Sequence, residues 1–158
     1  MNRQKILGLQ PQDTKKTAEK LNTLMANYAV FYQNVRGFHW YIEGHEFFEL
    51  HEKFEELYTT LSTKIDEIAE RIISLGEDPL HTYSGFLKHS RIKESATQRE
   101  GTQAVQSILK SFQHILEIER ELLDLTDEVK DEGTNNMISD SIQANEEIVW
   151  MYSAFLGN

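Results

Sequence analysis

Cysteine is absent from the 158-residue sequence, which excludes disulfide bonds, thiolate metal sites and a cysteine nucleophile. No apolar run approaches the roughly 18 residues of a membrane-spanning helix, and residues Met1 to Gln10 lack a signal-peptide pattern. We therefore expect a cytoplasmic protein with no membrane partner. Basic residues are also scarce, with 16 Lys and Arg against 26 Asp and Glu and a formal net charge of −10. That balance argues against a protein whose main task is to bind nucleic-acid phosphates.

Proline occurs only twice, and the dominant pattern is one of apolar residues spaced three or four apart, the period of an amphipathic helix. This pattern predicts a short helix near Tyr83–His89 and four long helices. The long helices are expected at about Thr14–Trp40, Phe47–Leu75, Thr102–Asp131 and Thr134–Phe155. We expect Asp13 and Thr134 to cap the first and fourth, and Gly76 and Gly133 to end the second and third.

The links between these helices predict their arrangement. Short links join the first helix to the second and the third to the fourth, so each pair should form an antiparallel hairpin. The link between the second and third helices is long enough to cross the length of a bundle and to hold the short helix. We therefore expect one all-α domain over residues 1–158, a ferritin-like four-helix bundle with a short helix in the long crossover.

Four side chains beside the second helix could bind a metal ion. His39 ends the first helix, and His51, Asp66 and Glu70 lie on the second. Neutral imidazole and carboxylate oxygen are the usual ligands for Fe(II), Mn(II) and Zn(II) when thiolates are absent. Asp66 and Glu70 are four residues apart, so they lie on one helical face and could share an ion.

Helix geometry separates these residues into two half-sites, the imidazole pair of His39 and His51 and the carboxylate pair of Asp66 and Glu70. Asp66 follows His51 by fifteen positions, about 22 Å along a helix, which one ion cannot bridge. The other helices offer no Glu-x-x-His to complete a site within one chain, since His114 precedes Glu117. The remaining solution is two chains whose second helices run antiparallel about a two-fold axis, which makes two identical sites.

A second seam runs beside the core face of the same helix. It consists of small and apolar residues where a monomeric bundle helix is normally charged. Its members are Tyr58, Ser62, Ala69 and Ile73. The seam suits a subunit contact, but it could also simply broaden the core face, and both interpretations stay open here.

Taken together, these residues resemble the two motif blocks of the Dps family, the mini-ferritins first known as DNA-binding proteins from starved cells. The first block reads His39-Trp40-x-Ile42-x-Gly44, then Leu50-His51-x-x-x-Glu55. The second reads Ile65-Asp66-x-Ile68-Ala69-Glu70-Arg71, then Leu75-Gly76-x-x-Pro79. Many residue types at fixed intervals match, and the expected helices are compatible with the family over nearly the whole chain.

The resemblance implies a hollow homododecamer with a ferroxidase centre at each two-fold interface. There Fe(II) would be oxidised to Fe(III), preferentially by hydrogen peroxide, and the product stored as a mineral. His39 and His51 would be ligands from one subunit and Asp66 and Glu70 from its neighbour, holding one or two irons. Zn(II) is a further ion that the site could hold. Trp40 would lie beside the iron and give an electron to oxidising radicals.

Two further roles follow from the resemblance. Glu55, one turn after His51, would orient an imidazole from outside the ligand set. Carboxylates near the turn between the third and fourth helices would line a three-fold pore that attracts cations. The candidates are Asp124, Asp127, Glu128, Asp131 and Glu132. A solvated acidic face is the alternative for that group.

Two other functions are considered beside ferroxidase activity and iron storage. A nucleoid protein that coats DNA commonly carries a Lys-rich tail, whereas here only Arg3 and Lys5 precede Pro11. Twelve chains of −10 would together carry −120, so we expect repulsion from phosphate to dominate. A metal-free helical oligomer is the remaining alternative, and it predicts no Fe(II) or Zn(II) binding.

Overall fold

The structure is a computed structural model, and it describes residues 3–158 of the chain. Met1 and Asn2, the first residues of the predicted domain, lie outside that range. Six helices account for most of it. They are α1 (Arg3–Leu7), α2 (Pro11–Tyr41), α3 (Phe47–Ser74), α4 (Tyr83–His89), α5 (Gly101–Glu128) and α6 (Glu132–Phe155). The described residues include no strand, and the prediction of an all-α fold is confirmed.

The long helices form the predicted bundle. α2 packs against α3 and α5 packs against α6, while α2 also contacts α5 and the short helix α4. Residues 42–46 link the first hairpin and residues 129–131 the second. The segment between α3 and α5 carries α4 over the predicted residues, so the ferritin-like arrangement is confirmed. Among the described helices, none is long and apolar enough to cross a membrane.

Several helix ends differ from the prediction. α2 begins at Pro11 and not at Thr14, because proline is well suited to a first turn whose amides have no partner within the helix. Asp13 therefore lies inside the helix, and Gln10 takes the N-cap position without a side-chain hydrogen bond. The short helix α1 was not predicted. The prediction that Gly76 ends α3 is confirmed, since its φ of 83° is left-handed.

The turn between α5 and α6 corrects two predictions. Gly133 does not end α5, because α5 stops at Glu128 and Lys130 takes the left-handed conformation with φ of 60°. Gly133 lies in the first turn of α6, where an added Cβ would approach Arg71 Nη2 to 2.8 Å. Thr134 is not the N-cap of α6 either. Asp131 is, and its carboxylate accepts a hydrogen bond from the Thr134 amide.

One polar cluster lies inside the apolar core. Glu119 of α5 is completely buried. Its carboxylate accepts hydrogen bonds from the hydroxyls of Tyr28 (2.9 Å) and Ser141 (2.7 Å) and from Asn145 Nδ2 (3.0 Å). The four side chains tie α2, α5 and α6 together at a single point. Burial raises the pKa of the Glu119 carboxyl, and burial together with this carboxylate raises the pKa of the Tyr28 hydroxyl.

We expect Glu119→Ala to destabilise the protein by about 2–4 kcal/mol, because three buried donors lose their acceptor and a small cavity forms. Glu117→Ala removes an exposed carboxylate two residues earlier on the same helix and should change stability by less than about 0.5 kcal/mol. The measurement is the free energy of unfolding in denaturant, at one fixed chain concentration. Equal effects of the two substitutions would contradict the role given to Glu119.

The raised pKa of Glu119 also predicts a pH dependence of stability. The folded protein favours the protonated carboxyl, so this stabilisation is present below the ordinary glutamate pKa of about 4.3 and is lost as the pH rises through the raised value. Glu119→Gln stays neutral and avoids that loss. We therefore expect the melting temperature of the variant, relative to that of the wild type, to increase as the pH rises. A constant difference at every pH would disprove the assignment.

Candidate metal centre

Two histidines meet at the α2–α3 turn. His39 lies in the last turn of α2 and His51 in the first turns of α3, so the five-residue link brings them face to face. Their ring centroids are 3.7 Å apart and the ring planes differ by 16°. His39 is 8% exposed and His51 is half-buried. The structure therefore confirms that the two imidazoles are neighbours.

Backbone carbonyl groups fix the orientation of both imidazoles. His39 Nδ1 lies 2.6 Å from the His51 carbonyl oxygen, and His51 Nδ1 lies 2.8 Å from the His39 carbonyl oxygen. A carbonyl oxygen can only accept, so each Nδ1 carries its hydrogen and donates it. In a neutral ring the lone pair is then on Nε2. Both rings are held in the tautomer that presents Nε2 to a metal ion, and the hydrogen bond at Nδ1 makes that nitrogen a better donor.

Aromatic residues surround the histidine pair. Phe47 stacks on His51 with centroids 4.9 Å apart, and Tyr58 meets His39 edge-on at 5.4 Å. Trp40, the next residue after His39, is 57% exposed, and the Arg36 guanidinium lies 4.9 Å from its ring centroid. Phe47 and Tyr58 therefore each pack against one of the two imidazoles. Trp40 is left at the surface beside them.

The predicted role of Glu55 is corrected. Its side chain is exposed, and within residues 3–158 no hydrogen bond joins it to either imidazole. The two backbone carbonyls already fill the orienting role. The sequence could not predict that carbonyl groups would take the role given to Glu55. Every residue has a carbonyl group, and only the tight α2–α3 turn directs these two toward the rings.

The two carboxylates lie far from the histidines, toward the other end of α3. Asp66 and Glu70 are both exposed and one helical turn apart. Across residues 3–158, no three His, Asp or Glu side chains come together to hold a metal ion. The chain by itself therefore offers two separate half-sites, as the length of the helix requires.

The second seam of α3 connects the two half-sites along the helix surface. Tyr58 and Ala69 are half-buried and pack against the core, whereas Ser62 and Ile73 are exposed. Ile73 leaves 49% of its surface in solvent. The seam thus broadens the core face at Tyr58 and Ala69 and leaves the small Ser62 and the apolar Ile73 at the surface.

Beyond the carboxylates, Arg71 links α3 to the α5–α6 turn. Its guanidinium donates to Asp131 Oδ1 at 2.7 Å and to Thr134 Oγ1 at 2.9 Å. Asp131 is 3% exposed, and both its carboxylate oxygens have partners within the chain. Asp131 is thus a structural residue and drops out of the predicted pore set. The other candidates are exposed and stay predictions: Asp124, Asp127, Glu128 and Glu132.

Comparisons with known proteins identify the family of the chain. The family described as a ferritin-like domain matches residues 18–158. The crystal structure of the DPS protein from Vibrio cholerae O1, a member of a broad superfamily of ferritin-like diiron-carboxylate proteins, superposes with a TM-score of 0.93. It is 48% identical in sequence, and the match covers 94% of this chain and 93% of that one.

Two curated relatives extend the likeness. General stress protein 20U of Bacillus subtilis is 40% identical over 139 residues, 88% of this chain and 96% of the relative. The DNA protection during starvation protein of Porphyromonas gingivalis is 36% identical over 150 residues, 95% of this chain and 94% of the relative. The resemblance drawn from the two motif blocks is confirmed. The chain belongs to the Dps branch of the ferritin-like family.

Proposed function

We propose that the protein is a ferroxidase and iron store that binds Fe(II) between two-fold related subunits. It oxidises Fe(II) with hydrogen peroxide and keeps the Fe(III) product as a mineral inside a dodecameric shell. The observation that carries the proposal is the pair of imidazoles at the α2–α3 turn, fixed with both Nε2 lone pairs available, and two carboxylates farther along α3 that they cannot reach. Membership of a diiron-carboxylate superfamily supports iron as the substrate.

Two-fold symmetry is the simplest way to complete such a site. If the α3 helices of two chains lie antiparallel, the histidine end of one helix meets the carboxylate end of the other, and the contact makes two equal sites. Of the exposed seam residues, Ser62 lies between the two half-sites and Ile73 lies three residues beyond Glu70, and both would be covered in that contact. His39 and His51 would then share an iron with Asp66 and Glu70 of the partner subunit.

The ligand set indicates how iron would be held. Two carboxylates supply two negative charges against the four positive charges of two ferrous ions, so we infer one tighter and one looser ion that keeps water ligands. Fe(II) and Zn(II) both accept imidazole and carboxylate, so Zn(II) should compete for the site. A cytoplasmic location stays a prediction from the sequence.

The proposed reaction is a two-electron oxidation. Two ferrous ions each give one electron to hydrogen peroxide, its O–O bond breaks, and each oxygen takes up one proton from solvent and becomes water. Pairing the electrons avoids hydroxyl radical, the product of one-electron reduction of peroxide. Exposed Trp40, beside the histidines, is the residue that we propose to intercept a radical that does form.

We expect Glu70→Gln to slow peroxide-driven oxidation of Fe(II) at least about tenfold, since it removes a charged iron ligand while keeping the size of the side chain. Glu19→Gln makes the same charge change at an exposed position on α2 and should leave the rate unchanged. The measurement is the initial rate of absorbance increase from Fe(III) under anaerobic conditions with peroxide added. Wild-type kinetics in Glu70→Gln would refute the assignment of this ligand.

The proposal also predicts the size of the particle. Twelve chains of 18.4 kDa form a shell of about 221 kDa. Light scattering coupled to size-exclusion chromatography should give that mass in the absence of iron. A monomer at micromolar concentration would leave both half-sites incomplete and would overturn the proposed site.

Coating of DNA is the alternative that the names of several relatives suggest, because they are called DNA protection during starvation proteins. The charge of this chain opposes it. With −10 per chain, an assembled shell would repel a phosphate backbone at long range. We therefore do not extend the proposal to DNA.

A further inference from the structure

A basic cavity lies on the side of the bundle formed by α2, α5 and the segment that follows α4. It encloses about 280 Å³. Arg91, Lys93, Lys110 and His114 line it, and no carboxylate does. The chain has 26 acidic residues against 16 Lys and Arg, so a lining with three cations and no acid is unexpected.

Hydrogen bonds hold one wall of the cavity in place. Asn34 Nδ2 donates to the Lys93 carbonyl at 2.9 Å, while Asn34 Oδ1 accepts from the Ser95 amide at 2.9 Å. Asn27 Oδ1 accepts from the amides of Arg91 (2.9 Å) and Ile92 (3.0 Å). The extended segment is therefore fixed against α2, and the cationic side chains project from an ordered backbone.

The cavity contains groups that lack partners inside the chain. Arg91 pairs with Glu121 at 3.3 Å, but within the described part of the chain Lys93 and Lys110 have no carboxylate within ion-pair distance. His114 Nδ1 is buried and makes no hydrogen bond with any described residue. The Glu117 carboxylate is 3.8 Å from it, beyond hydrogen-bonding distance. Buried polar atoms in native proteins are almost always paired, so this nitrogen is an exception, and the rest of the His114 ring lines the cavity.

We propose that this cavity binds a small oxyanion of the phosphate class. Two unpaired lysines supply positive charge that attracts phosphate oxygens, and the His114 imidazole that lines the cavity can donate a further hydrogen bond. The source is free phosphate and not a nucleic-acid backbone, because the net charge of −10 repels an extended polyanion but leaves a small ion free to enter. The site is independent of the iron site and of the proposed function.

The test uses the assembled, iron-free protein in chloride buffer, with inorganic phosphate titrated by calorimetry. We expect saturable binding that Lys93→Gln with Lys110→Gln weakens at least about tenfold, since two charge-assisted contacts are lost. Lys15→Gln with Lys16→Gln changes the net charge equally at exposed positions on α2 and should leave the affinity unchanged. Absence of saturable binding to the wild type, or equal weakening in both double variants, would overturn the proposal.

Two further experiments test whether His114 contacts the anion and whether the anion is free phosphate and not a nucleic acid. His114→Gln should weaken phosphate binding several-fold without lowering the melting temperature, and an unchanged affinity would contradict the assignment of His114. A duplex oligonucleotide should neither bind at low salt nor displace phosphate. If the oligonucleotide displaces phosphate and this depends on Lys93 and Lys110, the cavity is a nucleic-acid site and the proposal of a free anion is wrong.

Discussion

An α-helix rises only about 1.5 Å per residue, and this rise keeps His51 and Asp66 about 22 Å apart on α3. The separation cannot be closed by side-chain motion, because even the longest of these side chains spans only a fraction of it. The residues with metal-binding chemistry are therefore divided between the two ends of one rigid element. The proposed metal site would therefore require two chains, and the fold of each chain keeps the two half-sites at a fixed separation.

Each end of α3 is fixed by contacts that the fold supplies. At the histidine end, Gly101 begins α5 so close to Leu50 that an added Cβ would lie 2.6 Å from Leu50 Cδ1. At the carboxylate end, Arg71 ties α3 to Asp131 and thereby to the start of α6. The buried cluster around Glu119 joins the remaining helices between these points. A helix held at both ends can present two half-sites at a constant spacing to a second copy.

Much of this could be predicted from the sequence, and the failures have physical causes. Apolar spacing along a helix is a strong signal, so the bundle, α4 and the end of α3 at Gly76 were predicted correctly. The α5–α6 turn was not, because a left-handed Lys130 replaced the expected glycine and Asp131 gained its cap position through a tertiary contact with Arg71. Glu55 was predicted to orient an imidazole, a role that backbone carbonyl groups perform. Backbone groups are the same in every residue, so the sequence pattern cannot predict which of them will do so.

The central claim is that each iron site takes its histidines from one chain and its carboxylates from another, and mixed assembly tests it most directly. One variant carries His39→Ala and His51→Ala, the other Asp66→Ala and Glu70→Ala, and each alone should lack peroxide-driven ferroxidase activity. If the two are co-expressed and pair at random, half of the dimers are mixed and each mixed dimer has one intact site, so about a quarter of the wild-type activity should return. Mixed shells that stay as inactive as either parent would show that the four residues do not act across an interface.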